Sequence, residues 1–357
     1  MENCLIIAEL GTSHGGDRAK ASELIAAAAE SGADCVKCQI VYADEILHPK
    51  TGPVTLPGGA VPLYRVFKKL EQKPEFYEYL KEQTENRGLL FLATPFGPKS
   101  AALLKKMGPK AVKIASPELN YRSLVEEIAS WKIPAYLSTG ISLLGDIERA
   151  IEPFRGGEDR LCLLHCITAY PAPAEEYNLR VIPLLKGIFG CGAGVSDHSA
   201  DPVLVPVLAW AMGASAIEKH FCLSREDPGL DDPIALPPKD FAVMVKALRR
   251  AFTMEKEAVA AEIADAYGAQ RGEKVLGDGV KRLAPSEEAN YERTRRSVHA
   301  LKTIRRGETI SGGMIAVLRS EKTLRPGLSP AWTERIVGKQ AKNTVPSGEG
   351  IRFEDVF

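Results

Sequence analysis

Short apolar runs alternate with amphipathic stretches along the first two-thirds of the chain. The run Cys4-Leu-Ile-Ile-Ala8 ends in Glu9-Leu-Gly-Thr-Ser-His14-Gly-Gly, which is polar and glycine-rich. A helix is predicted next, with Ala21, Leu24, Ile25 and Ala28 at helical spacing. The pattern then recurs. It predicts further strands over 34–38, 89–93, 111–115, 135–138, 161–166, 193–196 and 214–219. Helical segments fall between them, near 75–87, 99–107, 121–131, 143–153, 178–189 and 202–212. Alternating strands and helices argue a parallel sheet. Eight strands in about 220 residues predict a closed (β/α)8 TIM barrel, whose functional residues lie at the carboxyl ends of the strands.

The connection from the second to the third strand is the longest and carries His48-Pro-Lys-Thr-Gly-Pro-Val-Thr-Leu-Pro-Gly-Gly59, loop material and a candidate lid. A single long helix is expected over 238–267, with Phe241, Val245, Leu248 and Phe252 on one face. From 268 to 292 the sequence turns polar, charged and glycine-containing, as a linker does. Residues 293–357 read as a small β-rich domain. Two of its segments resemble each other, Ile304-Arg-Arg-Gly-Glu-Thr-Ile310 and Val345-Pro-Ser-Gly-Glu-Gly-Ile351, which suggests weak internal symmetry. The expected organisation is a barrel over 1–267, a linker over 268–292 and a β-rich domain over 293–357.

Composition narrows the partners. The chain has 357 residues, 45% of them hydrophobic, and a formal net charge of zero. Balanced charge gives no case for nucleic acid or an anionic membrane. No apolar run reaches the roughly 20 residues needed to span a bilayer, and no signal peptide is evident, so a cytoplasmic protein is expected. Seven cysteines, most inside predicted strands, read as reduced thiols used as small hydrophobes. Cys35 and Cys38 form a CxxC, but their spacing on a strand turns them to opposite faces, against a redox or zinc role.

Nearly every predicted strand ends on a residue that a packed core would not choose. Alternation along a strand puts Ser196 and His198 on one face, likewise Glu218 and His220, and likewise Lys37 and Gln39. A lone strand lysine is more often a snorkelling side chain, and a lone strand histidine more often a hydrogen-bonded core residue. The set carries more weight because all of it falls at one end of the barrel. Lys37 and Lys113, with the hydroxyls of Thr94, Ser116, Ser138 and Ser196, make a cradle for a phosphate and a carboxylate. His198 and His220 are imidazole ligands suited to Mn, Zn, Fe or Co rather than Ca, with positions left open for a substrate carbonyl. Glu9, Glu118 and Glu218 are candidates for orientation or proton transfer. His165, Thr168 and Tyr170 close the sixth strand.

The ordered set AELGTSHGG (8–16), VKCQ (36–39), ATPF (93–96), VKIASPELN (112–120), LSTG (137–140), LLHCITAYP (163–171), GVSDHS (194–199), IEKHF (217–221) and PGLD (228–231) resembles the sialic acid synthases. RRSVHALKTIRRGETISGGMIAVLR (295–319) resembles the antifreeze-like (SAF) domain that follows the barrel in that family. The resemblance implies a transferase that condenses phosphoenolpyruvate with an N-acylated amino hexose such as N-acetylmannosamine, giving a nonulosonic acid and phosphate. It implies that Lys37, Thr94, Lys113, Ser116, Ser138, Thr168 and Ser196 hold phosphoenolpyruvate. His198 and His220 would bind a divalent metal, typically Mn2+. Glu9 and Glu118, with His220, would lie beside the reacting carbons, and Gln39, Tyr170 and Asp231 would face the sugar. The family works as a domain-swapped homodimer in which the antifreeze-like domain of one subunit caps the other's barrel and lends an arginine. Spacing from Ser311-Gly312 assigns that arginine to Arg319, although Arg-Pro-Gly occurs at Arg325. Ser13, Pro117 and Thr168 depart from residues common in the family and bear on the sugar more than on the reaction. Competing readings are the same chemistry on a 2,4-diacetamido sugar (legionaminic or pseudaminic type), on a spore-coat polysaccharide precursor or on a phosphorylated acceptor. A non-catalytic carbohydrate-binding protein, or a C-terminal domain that binds ice or a partner independently, is a reading of another class.

Overall fold

The computed structural model describes residues 4–56 and 59–357, so Pro57 and Gly58 of the candidate lid lie outside the described residues. The barrel strands begin with β1 (Leu5–Gly11) and β2 (Cys35–Ile40). A small antiparallel hairpin follows, β3 (Val54–Leu56) and β4 (Gly59–Val61), inside the long second connection. Then come β5 (Leu90–Pro95), β6 (Val112–Ile114), β7 (Ala135–Ser138), β8 (Leu161–Cys166), β9 (Gly192–Asp197) and β10 (Ala216–His220). Eight strands form one parallel sheet in the order β5-β2-β1-β10-β9-β8-β7-β6. Its two edges, β5 and β6, lie against each other, so the ring is nearly closed. This is a TIM-barrel-like α/β fold.

The interior of that ring changes character along each strand. Ile7, Cys35, Leu92, Cys162, Leu164 and Ala216 meet in one buried apolar cluster. Two residues further along the same strand face comes a polar group: Glu9 after Ile7, Lys37 after Cys35, Thr94 after Leu92, Glu218 after Ala216. Side chains alternate faces with a period of two, so an apolar floor leads directly to a polar mouth. Ile7 in this floor is fully buried, and Ile7→Ala would cost about 2–5 kcal/mol. The outward-facing residues Ile6, Ala8 and Leu10 pack against the surrounding helices in the main core.

Two elements differ from expectation. The single helix over 238–267 is two, Pro238–Ala251 and Lys256–Tyr267. Both pack on helix Leu204–Ala211, which is buried on every face, and the chain must turn at Phe252–Glu255 to cover it from both sides. The polar segment after Tyr267 opens with a helix, Ala269–Leu276, and then runs as a strap across the barrel mouth. Asp146, in the helix Leu144–Ile151 that follows β7, holds the strap end through Tyr291 Oη (2.9 Å) and Arg295 Nη2 (2.9 Å).

The C-terminal domain pairs β11 (Arg296–Ala300) with β12 (Ile315–Arg319) antiparallel. Its own core includes Val298, Ile304, Ile310, Ile336, Val345 and Ile351. The two similar segments lie face to face: Ile304 and Val345 exchange backbone hydrogen bonds of 2.9 and 2.8 Å. The domain caps the mouth of the barrel of its own chain, with Arg319 N donating to Ile46 O at 2.9 Å. The strap lies across the mouth and delivers β11 and β12 to it.

Candidate active site

A cavity of about 330 Å³ opens at the carboxyl ends of the strands, under the cap. Glu9, Lys37, Gln39, Thr94, Lys113, Ser116, Ser138, Thr168, Tyr170, Ser196, His198, His220, Asp231 and Arg319 all line it. Residues from all eight strand ends and from the C-terminal domain therefore meet in one place.

The charges are arranged around Glu218. Its carboxylate lies 3.4 Å from Lys37 Nζ and 3.9 Å from Lys113 Nζ, and accepts from Ser196 Oγ at 2.9 Å. Burial would raise its pKa, but the two ammonium groups outweigh this and hold it at about 2. Lys37 also meets Glu9 at 3.1 Å, and Gln39 Nε2 donates to the other Glu9 oxygen at 2.9 Å. Two carboxylates thus raise Lys37 above the usual lysine range against the effect of burial. Lys113 is less well compensated. It donates to Ser138 Oγ at 2.6 Å, and burial together with nearby Lys37 pushes it down to about 8 despite Glu218. Beside it, Thr94 Oγ1 and Thr168 Oγ1 are buried without any hydrogen-bond partner. Two buried cations and unused hydroxyls around one space are a receptor for an anion.

Gly140 leaves room for two of these hydroxyls. A Cβ on Gly140 would strike Thr168 Oγ1 and come within 2.9 Å of Ser116 Oγ, which accepts the Gly140 N–H at 3.0 Å.

The histidines sit on the far side. Their ring centroids are 5.3 Å apart, and Tyr170 stacks on His198 at 4.2 Å. His198 Nδ1 donates to Ile167 O at 2.7 Å, and although burial works against the charged form, Cys166 and that carbonyl raise the ring to about 9, so Nε2 becomes a lone-pair donor only on giving up its proton to a bound ion. Burial and the neighbouring His198 hold His220 neutral, with its pKa at about 3. Asp231 Oδ2 is 3.8 Å from His220 Nδ1. Among the described residues, no cluster of three or more His, Cys, Asp or Glu is arranged to hold a metal. Two imidazoles, that of His220 already neutral, with carboxylates nearby fit a divalent ion that keeps open positions, not a closed structural site.

Glu118 stands apart from the reacting side. It does not line the cavity, and its Oε1 takes Arg296 Nη2 at 2.9 Å and Arg319 Nη2 at 2.7 Å. It anchors the cap. Arg319 lines the cavity, whereas Arg325 is spent on Gly350 O (2.9 Å) and Asp355. Asp197 turns outward and pairs with Lys219 at 2.6 Å. His165 Nε2 donates to Tyr177 O (2.5 Å), and His14 packs on Phe76; neither lines the cavity. Sequence reasoning missed Thr12, Asn290, Thr294, Glu321 and Lys322, and an apolar wall of Val54, Leu63 and Phe67. The last three come from the long second connection, whose length was the only signal. Seven cysteines are buried and free.

A profile of the NeuB family matches residues 24–260. The chain belongs to the NeuB family. A SAF-domain profile matches residues 295–356, so the cap over this NeuB barrel is a SAF domain. The crystal structure of the spore coat polysaccharide biosynthesis protein SpsE from Bacillus subtilis superposes with a TM-score of 0.82 at 33% identity, covering 99% of this chain and 95% of its own. The N,N'-diacetyllegionaminic acid synthase of Campylobacter jejuni is 33% identical over 359 residues, 99% of this chain and 100% of its own. The N-acetylneuraminic acid (sialic acid) synthetase of Leptospira borgpetersenii, solved with citrate, has a TM-score of 0.64 at 30% identity and covers 81% of this chain and 90% of its own. Among the described residues, no helix is long and apolar enough to cross a membrane.

Proposed function

We propose that this NeuB-family chain condenses phosphoenolpyruvate with an N-acylated amino hexose to give a nonulosonic acid and inorganic phosphate. The observation that carries the proposal is the pair of buried lysines with the partnerless hydroxyls of Thr94 and Thr168 beside them. Phosphoenolpyruvate brings a phosphate and a carboxylate on a three-carbon frame, which two separated ammonium groups can hold at both ends. Lys37 and Lys113 clamp it, and Ser116, Ser138 and Ser196 complete the donor set. The clamp turns its C3 toward the histidine side, and aligning two reactants in this way supplies much of the rate. A divalent ion such as Mn2+, held by His198 and His220, would supply electrophilic polarisation of the acceptor's carbonyl. Glu9, held by Lys37 on Oε2 and by Gln39 on Oε1, is the carboxylate placed to take the proton of the water that adds at C2. Collapse of that adduct expels phosphate.

Gln39, Tyr170, Asp231 and Arg319 form the acceptor side. The relatives span legionaminic, sialic and spore-coat chemistry at 30–33% identity, so the acceptor class is chosen by experiment. Purified protein is incubated with phosphoenolpyruvate, Mn2+ and a panel holding N-acetylmannosamine, its 6-phosphate and 2,4-diacetamido-trideoxy hexoses. Mass spectrometry then reads the product. A new acid at the mass of acceptor plus pyruvate names the sugar; binding of every sugar without any such product would establish a carbohydrate-binding protein instead. A domain-swapped homodimer remains part of the proposal, since exchanging caps between two copies would keep every contact of Arg296 and Arg319 with Glu118.

A further inference from the structure

One carboxylate of the strap reaches behind the anion pocket. Glu287 is fully buried. Its Oε1 accepts the backbone N–H of Ile141 at 2.7 Å and that of Thr168 at 2.7 Å. Its Oε2 accepts from Ala284 N at 3.2 Å, within the strap itself. Lys281, buried without a hydrogen-bond partner, supplies an opposing charge close enough to interact with it.

The two amides belong to the loops after β7 and β8. The first loop carries Ser138, which accepts from Lys113, and Gly140, whose N–H goes to Ser116. The second carries Thr168, whose free hydroxyl lines the cavity. Ile141 has φ of 41°, a left-handed conformation that β-branched residues rarely adopt, so something must hold it there. Its N–H and the Thr168 N–H, which would otherwise be buried and unpaired, both point to one oxygen from outside the barrel.

We propose that Glu287 is a positioning residue for the anion pocket: by joining the Ser138–Ile141 and Thr168 loops from behind, it makes their donors converge and ties anion affinity to a seated strap. This rests on the reading of the pocket as the phosphoenolpyruvate site.

The test uses full-length protein carrying Glu287→Ala and Glu287→Gln. Steady-state kinetics gives KM for each substrate, and amide hydrogen exchange follows Ile141 and Thr168. Glu287→Ala should speed exchange at both amides and raise the phosphoenolpyruvate KM about tenfold or more, with the acceptor KM changed less than about twofold. Glu287→Gln keeps one oxygen able to accept both N–H groups and should restore most of that affinity. An unchanged phosphoenolpyruvate KM in the alanine variant, or an equal rise in both KM values, would overturn the proposal. Should the alanine variant not fold, Glu287→Asp keeps the charge but is one methylene too short; wild-type KM values for it would equally overturn the idea. Failure of the wild type to bind phosphoenolpyruvate would instead sink the pocket assignment, while the exchange rates still read the clamp on their own.

Discussion

Lys113 is the least compensated charge at the barrel mouth. Its nearest carboxylate is 3.9 Å away, whereas Lys37 has two within 3.4 Å. Burial therefore lowers Lys113 to about 8, and the group is charged below that pH and neutral above it. An anionic ligand needs the charged form. Phosphoenolpyruvate affinity, measured by calorimetry across pH 6.5–9.5, should accordingly fall as pH rises through about 8. A flat profile would remove Lys113 from the clamp. On the opposite side, His220→Ala should abolish chelator-sensitive turnover while leaving the circular dichroism spectrum unchanged; a fully active variant would remove the metal site. The mouth was legible in the sequence because strand alternation is strict: once Ile7, Cys35 and Ala216 are read as floor, Glu9, Lys37 and Glu218 must face the same interior. The place of Glu118 was not legible for a related reason. It follows β6 in a short turn, where alternation no longer tells which way a side chain points.

At the scale of elements, the cap is held by an internal ion cluster. Arg296 is 1% exposed, and besides Glu118 it donates to Phe96 O (2.8 Å) and Glu45 O (2.6 Å). Removing the carboxylate leaves a buried guanidinium unpaired, which costs about 3–5 kcal/mol. Glu118→Ala should therefore lower the melting temperature as well as activity, whereas Arg319→Ala, whose side chain is partly open to the cavity, should chiefly raise the acceptor KM by about tenfold. Kinetics of the two variants, with thermal melts, separates anchoring from substrate contact; an Arg319→Ala variant with an unaltered acceptor KM would refute its assignment. The strap was not legible. Its role depends on Glu287, which cannot be told in sequence from Glu288 beside it, and on backbone amides, which leave no trace in side-chain patterns. The broken helix at Phe252 was hidden for a similar reason, since no glycine or proline marks a turn dictated by packing on helix Leu204–Ala211.

The whole molecule joins a barrel that carries anion and imidazole groups to a cap that carries Arg319, and neither makes the complete cavity alone. Exchange of caps between copies predicts complementation. Equal amounts of His220→Ala and Arg319→Ala protein, mixed and allowed to re-associate, should recover up to about a quarter of wild-type activity at low acceptor concentration, because only mixed dimers hold one intact site. No recovery would show that each chain caps itself, as in this structure. The central claim concerns the reaction itself, and the most direct measurement is inorganic phosphate released from phosphoenolpyruvate by the purified full-length protein with Mn2+, with and without an amino sugar and with and without chelator. The account predicts release that requires the sugar, matches the acid formed mole for mole and stops on chelation. Release independent of sugar, or none with any acceptor from protein that binds both Mn2+ and phosphoenolpyruvate, would contradict it.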